Sequence, residues 1–247
     1  MDADPQVQLR LLDLQELDSG IDRLAVRRRT LPELAEIERL TARLRELGTE
    51  LQSAEAARSD TARAQARLES DVEAVRSRAT RDQGRLDSGA ISSPRELENL
   101  QSEIASLNRR RDTLEDELLE LMEAAENAAS AADALNDERE QVESERAAAT
   151  ERRDAEWAAI DEDSSQQQAA RAELAPQLPA DLVTLYERIR ASSGGIGAAR
   201  LYRRRCEGCH MELSGSDLNE VQEAPPERVL RHEECRRILV RTEESGL

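Results

Sequence analysis

The chain has 247 residues, of which 36% are charged and 1% are aromatic, with no Phe, a single Trp and no Lys. A compact globular domain of this length normally fills its core with more aromatic side chains, so the composition argues against that architecture. It favours long helices rich in Ala, Glu, Leu and Arg. The formal net charge of −18 argues against nucleic acid lying along most of the chain and favours a protein partner with a basic surface.

The acidic character is concentrated before residue 196. Residues 1–195 contain 26 Arg and 43 acidic residues, whereas residues 196–247 contain 9 Arg and 10 acidic residues. No apolar run reaches the length of a membrane span, and the N-terminus lacks the charged and apolar pattern of a signal peptide. All three Cys are spaced as metal ligands, which is typical of the reducing cytoplasm. We therefore expect a cytoplasmic protein with no membrane partner.

The first helix is predicted to start after Pro5. Its apolar residues repeat at the 3-4-3 spacing of a coiled-coil seam, in Leu14, Leu17, Ile21 and Leu24. A break or kink is predicted at 27–32, because Pro32 is tolerated only in the first turn of a new helix. Thr30 and Glu33 have the spacing of a capping box for that helix.

Two longer helices follow, separated by Gly, Ser and Pro residues that predict a turn near residues 86–94. The later helix keeps a strict 3-4 apolar spacing from Leu97 to Ala149, so its period of 3.5 predicts a supercoil. Folding the chain back at the turn places the two seams face to face, antiparallel. This register pairs apolar residues across the seam, as in Leu135 with Leu47 and Val142 with Leu40.

The C-terminal part is predicted to be short elements. A helix is expected at 181–191 and another at 216–223, with strands at 196–202, 228–231 and 238–241. The predicted fold class is mainly α: a long antiparallel coiled-coil hairpin with a kink near residue 30, plus a small C-terminal zinc ribbon of short β-strands. The predicted domains are the coiled-coil hairpin, 1–178, and the short helix with the zinc ribbon, 179–247.

Two ligand pairs with the same internal spacing carry the predicted metal site, Cys206-Glu-Gly-Cys209 and His232-Glu-Glu-Cys235. A two-residue gap lets both side chains of a pair turn toward one ion, and Gly208 eases the tight turn. Four such ligands suit one tetrahedral, structural Zn²⁺ and leave no open position for a substrate. A segment of about fifty residues with little hydrophobic core also needs such a cross-link to hold its shape.

Three alternatives compete with this interpretation. Cys206 through His210 matches the string that attaches c-type haem, but the second axial ligand and the apolar pocket that haem needs are missing. A redox pair would need the strand and helix context of thioredoxin. Glu233 or Glu234 could replace His232 as the fourth ligand, or the fourth position could be empty. An enzyme is not expected, because the only two His lie in the ribbon and no phosphate loop or open metal site is present.

Arginines cluster beside both ligand pairs and predict contacts to phosphates of RNA or DNA. The alternative is a solvated ribbon surface balanced by nearby acidic residues. The residues proposed for nucleic-acid binding are Arg203, Arg204, Arg205, Arg236 and Arg237.

The chain resembles the bacterial zinc-ribbon coiled-coil proteins. The similarity is carried by the turn segment from Ile91 through Glu123 and by the ribbon segment from Arg205 through Leu239. The family usually has four Cys, so His232 stands where a Cys is expected. The resemblance implies a non-enzymatic adaptor or chaperone-like regulator, with links in the family to transcription factors, RNA, and flagellar or secretion systems.

The expected function is therefore an adaptor whose coiled-coil arm binds a protein partner and whose ribbon binds nucleic acid or a second protein. The alternative is a purely structural protein-interaction coiled coil with no nucleic-acid contact.

Overall fold

The computed structural model describes residues 1–89 and 91–247, which form two compact units. The first unit comprises Met1–Leu34 with Glu151–Leu247, and the second comprises Ala35–Thr150. The helices are α1 (Pro5–Arg29), α2 (Pro32–Asp87), α3 (Pro94–Leu174), α4 (Ala180–Ser192) and α5 (Gly215–Glu223), and the strands are β1 (Ala198–Tyr202), β2 (Arg205–Cys206), β3 (Leu230–Arg231) and β4 (Ile238–Val240). The predicted fold class, long helices in a hairpin with a small C-terminal strand region, is confirmed.

The predicted break near residue 30 lies between the end of α1 and the start of α2. The predicted capping box is wrong. The Thr30 hydroxyl donates to the Val26 carbonyl at 3.0 Å, so Thr30 closes α1 and does not cap α2. The physical reason is that the last carbonyls of a long helix also need partners, and the Thr30 side chain satisfies one of them.

The second unit is an antiparallel pair formed by α2 and α3. Leu40 and Leu47 share one apolar cluster with Val142 and, at its margin, Leu135, so the residues predicted to meet across the seam do lie together. Ion pairs also cross the seam: Arg43 with Glu138 at 2.8 Å, Arg58 with Asp133 at 3.3 Å, and Arg78 with Glu103.

The turn of the hairpin falls where it was predicted, since α2 ends at Asp87 and α3 begins at Pro94. Gly89 has a φ of 69°, a conformation that glycine adopts without a steric penalty. Ala90, part of the predicted turn, lies outside the described residues. Over residues 1–89 and 91–247, no helix combines the length and the apolar content needed to cross a membrane.

The first unit contains a four-stranded sheet in the order β2-β1-β4-β3. The central strands β1 and β4 are parallel, and each pairs antiparallel with one outer strand. The strands predicted around 196–202, 228–231 and 238–241 are present with shorter bounds. The two-residue strand β2 was not predicted, because a pair of residues carries no alternating pattern.

The core of this unit joins the chain's first helix to its last elements. Leu11 and Leu14 of α1 are fully buried and share an apolar cluster with Tyr186 of α4, Ala198 of β1 and Ile238 of β4. The compact units therefore divide the chain differently from the predicted boundary at residue 178. A seam spacing identifies an apolar stripe but does not say which surface covers it.

Two buried glutamines connect α1 to loop backbone. The Gln8 amide donates to the carbonyls of Ala3 and Pro226 at 2.8 and 3.1 Å. The Gln15 oxygen accepts from the Gly197 N–H at 2.6 Å, and its amide donates to the Gly195 carbonyl at 2.9 Å. These bonds satisfy backbone groups that burial would otherwise leave unpaired.

Replacing Gln15 with Leu is expected to destabilise the first unit by about 1–3 kcal/mol, because the buried N–H of Gly197 and the Gly195 carbonyl lose their partner. Gln6→Leu is the matched control, since Gln6 is exposed on the same helix, and it should change the free energy of unfolding by less than about 0.5 kcal/mol. Urea unfolding followed by Trp157 fluorescence measures both variants. Equal effects of the two substitutions would contradict the role given to Gln15.

Trp157, the single Trp of the chain, lies in the first unit. Its indole N–H donates to the Arg28 carbonyl at 3.1 Å. The guanidinium groups of Arg28 and Arg153 lie 4.7 and 4.6 Å from the ring centroid, within cation–π range. The side chain therefore ties the last turn of α1 to α3, and its fluorescence reports on that contact.

Candidate metal centre

Both ligand pairs sit in the same kind of turn. The backbone N–H of His210 donates to the Cys206 carbonyl, and that of Arg236 donates to the His232 carbonyl, each at 2.8 Å. His210 and Arg236 both have a φ of 61°. Each turn therefore returns the chain so that two ligands three residues apart point to one place, and the internal repeat seen in the sequence is also a repeat of backbone geometry.

Gly208 lies where the neighbouring atoms leave no room for a side chain. A Cβ at this position would lie 2.7 Å from the Arg237 Cδ and 2.9 Å from the Ala199 Cβ, both too close for a side chain. The first turn therefore packs directly against β1 and against the segment that follows the second turn.

The four predicted ligand residues converge. The candidate donor atoms of Cys206, Cys209, His232 and Cys235 all lie within 4.8 Å of one another. The His232 Nδ1 atom is 3.3 Å from the Cys209 sulfur and 3.2 Å from the Cys235 sulfur, and the sulfurs of Cys206 and Cys235 are 4.0 Å apart. Sulfurs about 2.3 Å from a tetrahedral zinc lie roughly 3.8 Å apart, so this cluster has the right size for zinc.

The surroundings of the cluster are those of a structural site. Cys206 is fully buried among Ala199, Leu201, Leu230 and Leu239. Burial raises the pKa of Cys206 to about 12. Burial acts in the same direction on Cys235, but hydrogen bonds from the Arg237 backbone and from His232 outweigh it and lower the pKa of Cys235 to about 7.

His232 presents its Nδ1 atom to the cysteines and is 1% exposed, while its Nε2 atom is buried without a hydrogen-bond partner among the described residues. An imidazole nitrogen directed toward two thiols suits a metal ligand. The donor set of three sulfurs and one imidazole nitrogen fits zinc. When bound, zinc would cross-link the two turns.

The two histidines have different surroundings, and only His232 belongs to the ligand cluster. His210 is exposed, and its Nδ1 atom is 3.4 Å from an Arg205 guanidinium nitrogen. Cys206 and Cys209 face His232 and Cys235. This arrangement favours the four-ligand metal interpretation over the haem string, since both cysteines of that string belong to the cluster.

The five candidate arginines are placed differently. Arg203 and Arg204 form the tight turn between β1 and β2, with φ of 47° and 66°, and their backbone N–H groups donate to the carbonyls of Glu244 and Ser245. Arg237 is used inside the fold, because its guanidinium donates to the carbonyls of Ile196 at 3.1 Å and Ser193 at 2.7 Å. These bonds remove Arg237 from the candidate phosphate-binding set.

The other four arginines, Arg203, Arg204, Arg205 and Arg236, form no ion pair in the part of the chain that the structure describes, and all are exposed. Arg203 stacks on Tyr202, with its guanidinium carbon 5.2 Å from the ring centroid. Arg241, not singled out from the sequence, instead donates to five backbone carbonyls, including those of Ala224 at 2.8 Å and Pro225 at 2.6 Å. No sequence signal separates such a structural arginine from a free one.

Fold and site together define a coiled-coil hairpin protein with a C-terminal zinc ribbon. The family model of the CT398-like coiled coil hairpin domain matches residues 14–194, and that of the C4-type zinc ribbon domain matches residues 205–239. The chain belongs to the CT398-like coiled-coil hairpin family, which confirms the resemblance drawn from the sequence. His232 takes the place of one of the four cysteines that the C4-type ribbon implies.

Relatives span the whole chain. An uncharacterized protein of Mycobacterium tuberculosis is 35% identical over 243 residues, which is 98% of each chain. A solved structure from Mycobacterium smegmatis has a TM-score of 0.83 and 32% identity, covering 98% of this chain and 100% of that one. The structure of CT398 from Chlamydia trachomatis has a TM-score of 0.66 at 20% identity, covering 96% and 98%, and this likeness concerns the fold alone.

Proposed function

We propose that the chain is a non-enzymatic, chaperone-like adaptor. The hairpin is an arm that binds a protein partner, and the ribbon, folded around one structural zinc, binds nucleic acid or a second protein. The observation that carries the ribbon's role is the group of four exposed arginines beside the metal cluster, none of which forms an ion pair among the described residues. Over residues 1–89 and 91–247, only the Arg204 guanidinium of this group donates to a backbone carbonyl, that of Gly246, at 2.9 Å.

The pairing of charges supports a division of labour between the two parts. Along the second unit many arginines are matched with acids, as Arg43 is with Glu138 and Glu50. At the ribbon, Arg203, Arg204 and Arg205 follow one another just before the first ligand pair, and Arg236 comes directly after the second. Exposed guanidinium groups without an acidic partner, held on a cross-linked scaffold, suit phosphates or acidic side chains of a partner.

The surroundings of the two histidines support the proposal that the chain is not an enzyme. His232 faces two thiols in a closed four-ligand cluster, which leaves no open coordination position for a substrate. His210 lies beside Arg205. Among the described residues, neither histidine is hydrogen-bonded to a hydroxyl nucleophile, which is the pairing that acyl-transfer chemistry needs.

The test is the binding of a labelled 20-nucleotide single-stranded RNA, and of the same sequence as DNA, to the full chain at several salt concentrations. Each phosphate contact contributes about 0.7 to the slope of log affinity against log salt, so the variant R203Q/R204Q/R205Q/R236Q should flatten that slope by up to about 3. The control R39Q/R45Q/R76Q/R81Q removes the same charge from exposed positions on α2 and should keep the slope.

Two results would overturn the nucleic-acid half of the proposal. One is no binding of either strand at low salt, and the other is an equal loss in the control variant. The ribbon arginines would then serve a protein contact, and the chain would be a protein-interaction coiled coil without nucleic-acid binding.

A further inference from the structure

One face of α3 within the second unit is both acidic and apolar. At 100° per residue, two apolar residues and five acidic residues fall within about 120° of one another on the helix. This face, called the acidic ridge below, consists of Asp112, Glu115, Asp116, Leu119, Met122, Glu123 and Glu126. Leu119 is 62% exposed, the highest value among the large apolar side chains of the described residues, and Met122 is 45% exposed.

Most of the ridge lies away from the hairpin seam. At this point along α3 the seam is formed by Leu114, which is 2% exposed, and by Leu118 and Leu121, which are partly buried. At 100° per residue, Leu119 lies about 140° around the helix from Leu114, whereas Met122 lies at the edge of the seam, about 40° from Leu118. The exposure of Leu119 is therefore not a consequence of weak pairing between α2 and α3.

The charge around these two residues has one sign. Residues 112–126 contain seven acidic residues and no basic residue. Arg111 pairs with Asp112 at 2.6 Å and Glu115 at 3.6 Å. Asp116, Glu123 and Glu126 form no ion pair in residues 1–89 and 91–247, unlike acids such as Asp133 and Glu138 farther along the helix.

We propose that the acidic ridge is a docking surface for one amphipathic helix of a partner protein, with an apolar stripe bordered by Arg or Lys. This proposal rests on the protein-binding role given to the hairpin and assigns that role to a site. An amphipathic helix places side chains of one face at the spacing that Leu119 and Met122 present. The unpaired carboxylates on either side favour cationic side chains and fix the partner's charge.

The same charges argue against two other occupants. Phosphates of a nucleic acid would be repelled by Asp116, Glu123 and Glu126. A second copy of this chain docked ridge to ridge would bring like charges together, in a chain whose net charge is −18. A cationic helix is the occupant that satisfies both the apolar pair and the carboxylates.

The test uses the full chain and a synthetic 18-residue helical peptide that has Leu on one face and Arg or Lys elsewhere. A scrambled peptide of the same composition, without the apolar stripe, is the control ligand. Calorimetry or fluorescence anisotropy gives the dissociation constant. We expect the patterned peptide to bind at least about tenfold more tightly than the scrambled one, because only the patterned peptide buries Leu119 and Met122.

Two variants separate the apolar and the charged contributions. L119Q/M122Q should weaken the patterned peptide at least about tenfold, while M211Q, at an exposed apolar position of the ribbon, should not. D116N/E123Q/E126Q should weaken binding at low salt and flatten its salt dependence, while E98Q/E140Q/E151Q, on the same helix, should keep it. Circular dichroism checks that each variant keeps its helix content.

Equal binding of the scrambled peptide, or unchanged binding by L119Q/M122Q, overturns the ridge as a docking site. Dimers of the intact chain that dissociate in L119Q/M122Q during size-exclusion chromatography with light scattering would overturn it too, in favour of self-association. Failure of the wider adaptor proposal looks different. Crosslinking to a purified partner would then yield no crosslinks within residues 35–150, whereas crosslinks to another face of those residues would refute the ridge alone.

Discussion

Cys206→Ser is expected to release the metal and open the ribbon. The intact protein should contain about one zinc per chain, and the variant far less, because three ligands bind much more weakly than four. Amide hydrogen exchange at residues 205–210 and 230–237 should accelerate by more than about 100-fold, corresponding to about 3 kcal/mol, since metal binding and local folding are coupled there.

The effect should be local. Leu11, Leu14 and Tyr186 form a core that does not include the ligand residues, so α1 and α4 should keep their protection without zinc. His232→Cys is the matched control, because it restores a four-cysteine set and should keep both zinc and protection. Metal analysis by mass spectrometry together with exchange measures both variants. A metal-free intact chain with a fully protected ribbon would refute the zinc assignment.

Asp18→Ala is expected to destabilise the first unit by about 3 kcal/mol. Asp18 is 3% exposed, accepts from the Arg171 guanidinium at 2.6 Å and from the Tyr186 hydroxyl at 2.7 Å, and lies 3.6 Å from the Arg190 Nε atom. Removing the carboxylate leaves the buried Tyr186 hydroxyl without its acceptor, and leaves Arg171 and Arg190, both partly buried, with only exposed acidic partners. Burial, with the hydrogen bond to Asp18, raises the pKa of Tyr186 far above its usual range, so the phenol remains a donor.

The control for this substitution is Asp22→Ala. Asp22 pairs with Arg190 at 2.5 Å, but its side chain is 51% exposed, so solvent screens the pair. Its loss should cost less than about 1 kcal/mol. Urea unfolding followed by Trp157 fluorescence gives both free energies of unfolding. Similar midpoints for the two variants would contradict the claim that the buried Asp18 stabilises the first unit more than the exposed Asp22 does.

The local parts of the fold were predictable because their signals repeat. The seam leucines predicted that Leu40 and Leu47 lie together with Val142 and Leu135, since each apolar stripe of a hairpin must be covered by the other. Pro32 and Pro94 marked the first turns of two helices. The ligand spacing identified the four residues that converge, because two side chains three residues apart in a tight turn can reach one ion.

The contacts of α1 were not predictable in this way. Gln8 and Gln15 look like ordinary polar residues on a helix surface, yet they are buried against loop backbone. Asp18 gave no signal that it would be buried with Arg171 and Tyr186. A polar residue becomes structural only when a distant segment covers it, and a spacing along one helix carries no information about that segment.

The ribbon arginines show the same contrast between what the sequence predicts and what only tertiary contacts determine. By itself, the sequence determined that basic residues cluster beside both ligand pairs and that the long helices are acidic, because composition and charge are local properties. Only the tertiary structure decided that Arg237 and Arg241 each bind several backbone carbonyls, while Arg203, Arg204, Arg205 and Arg236 stay exposed and form no ion pair among the described residues. Whether a guanidinium is free depends on which carbonyls and carboxylates folding brings within about 3 Å of it, and those lie far away in the chain.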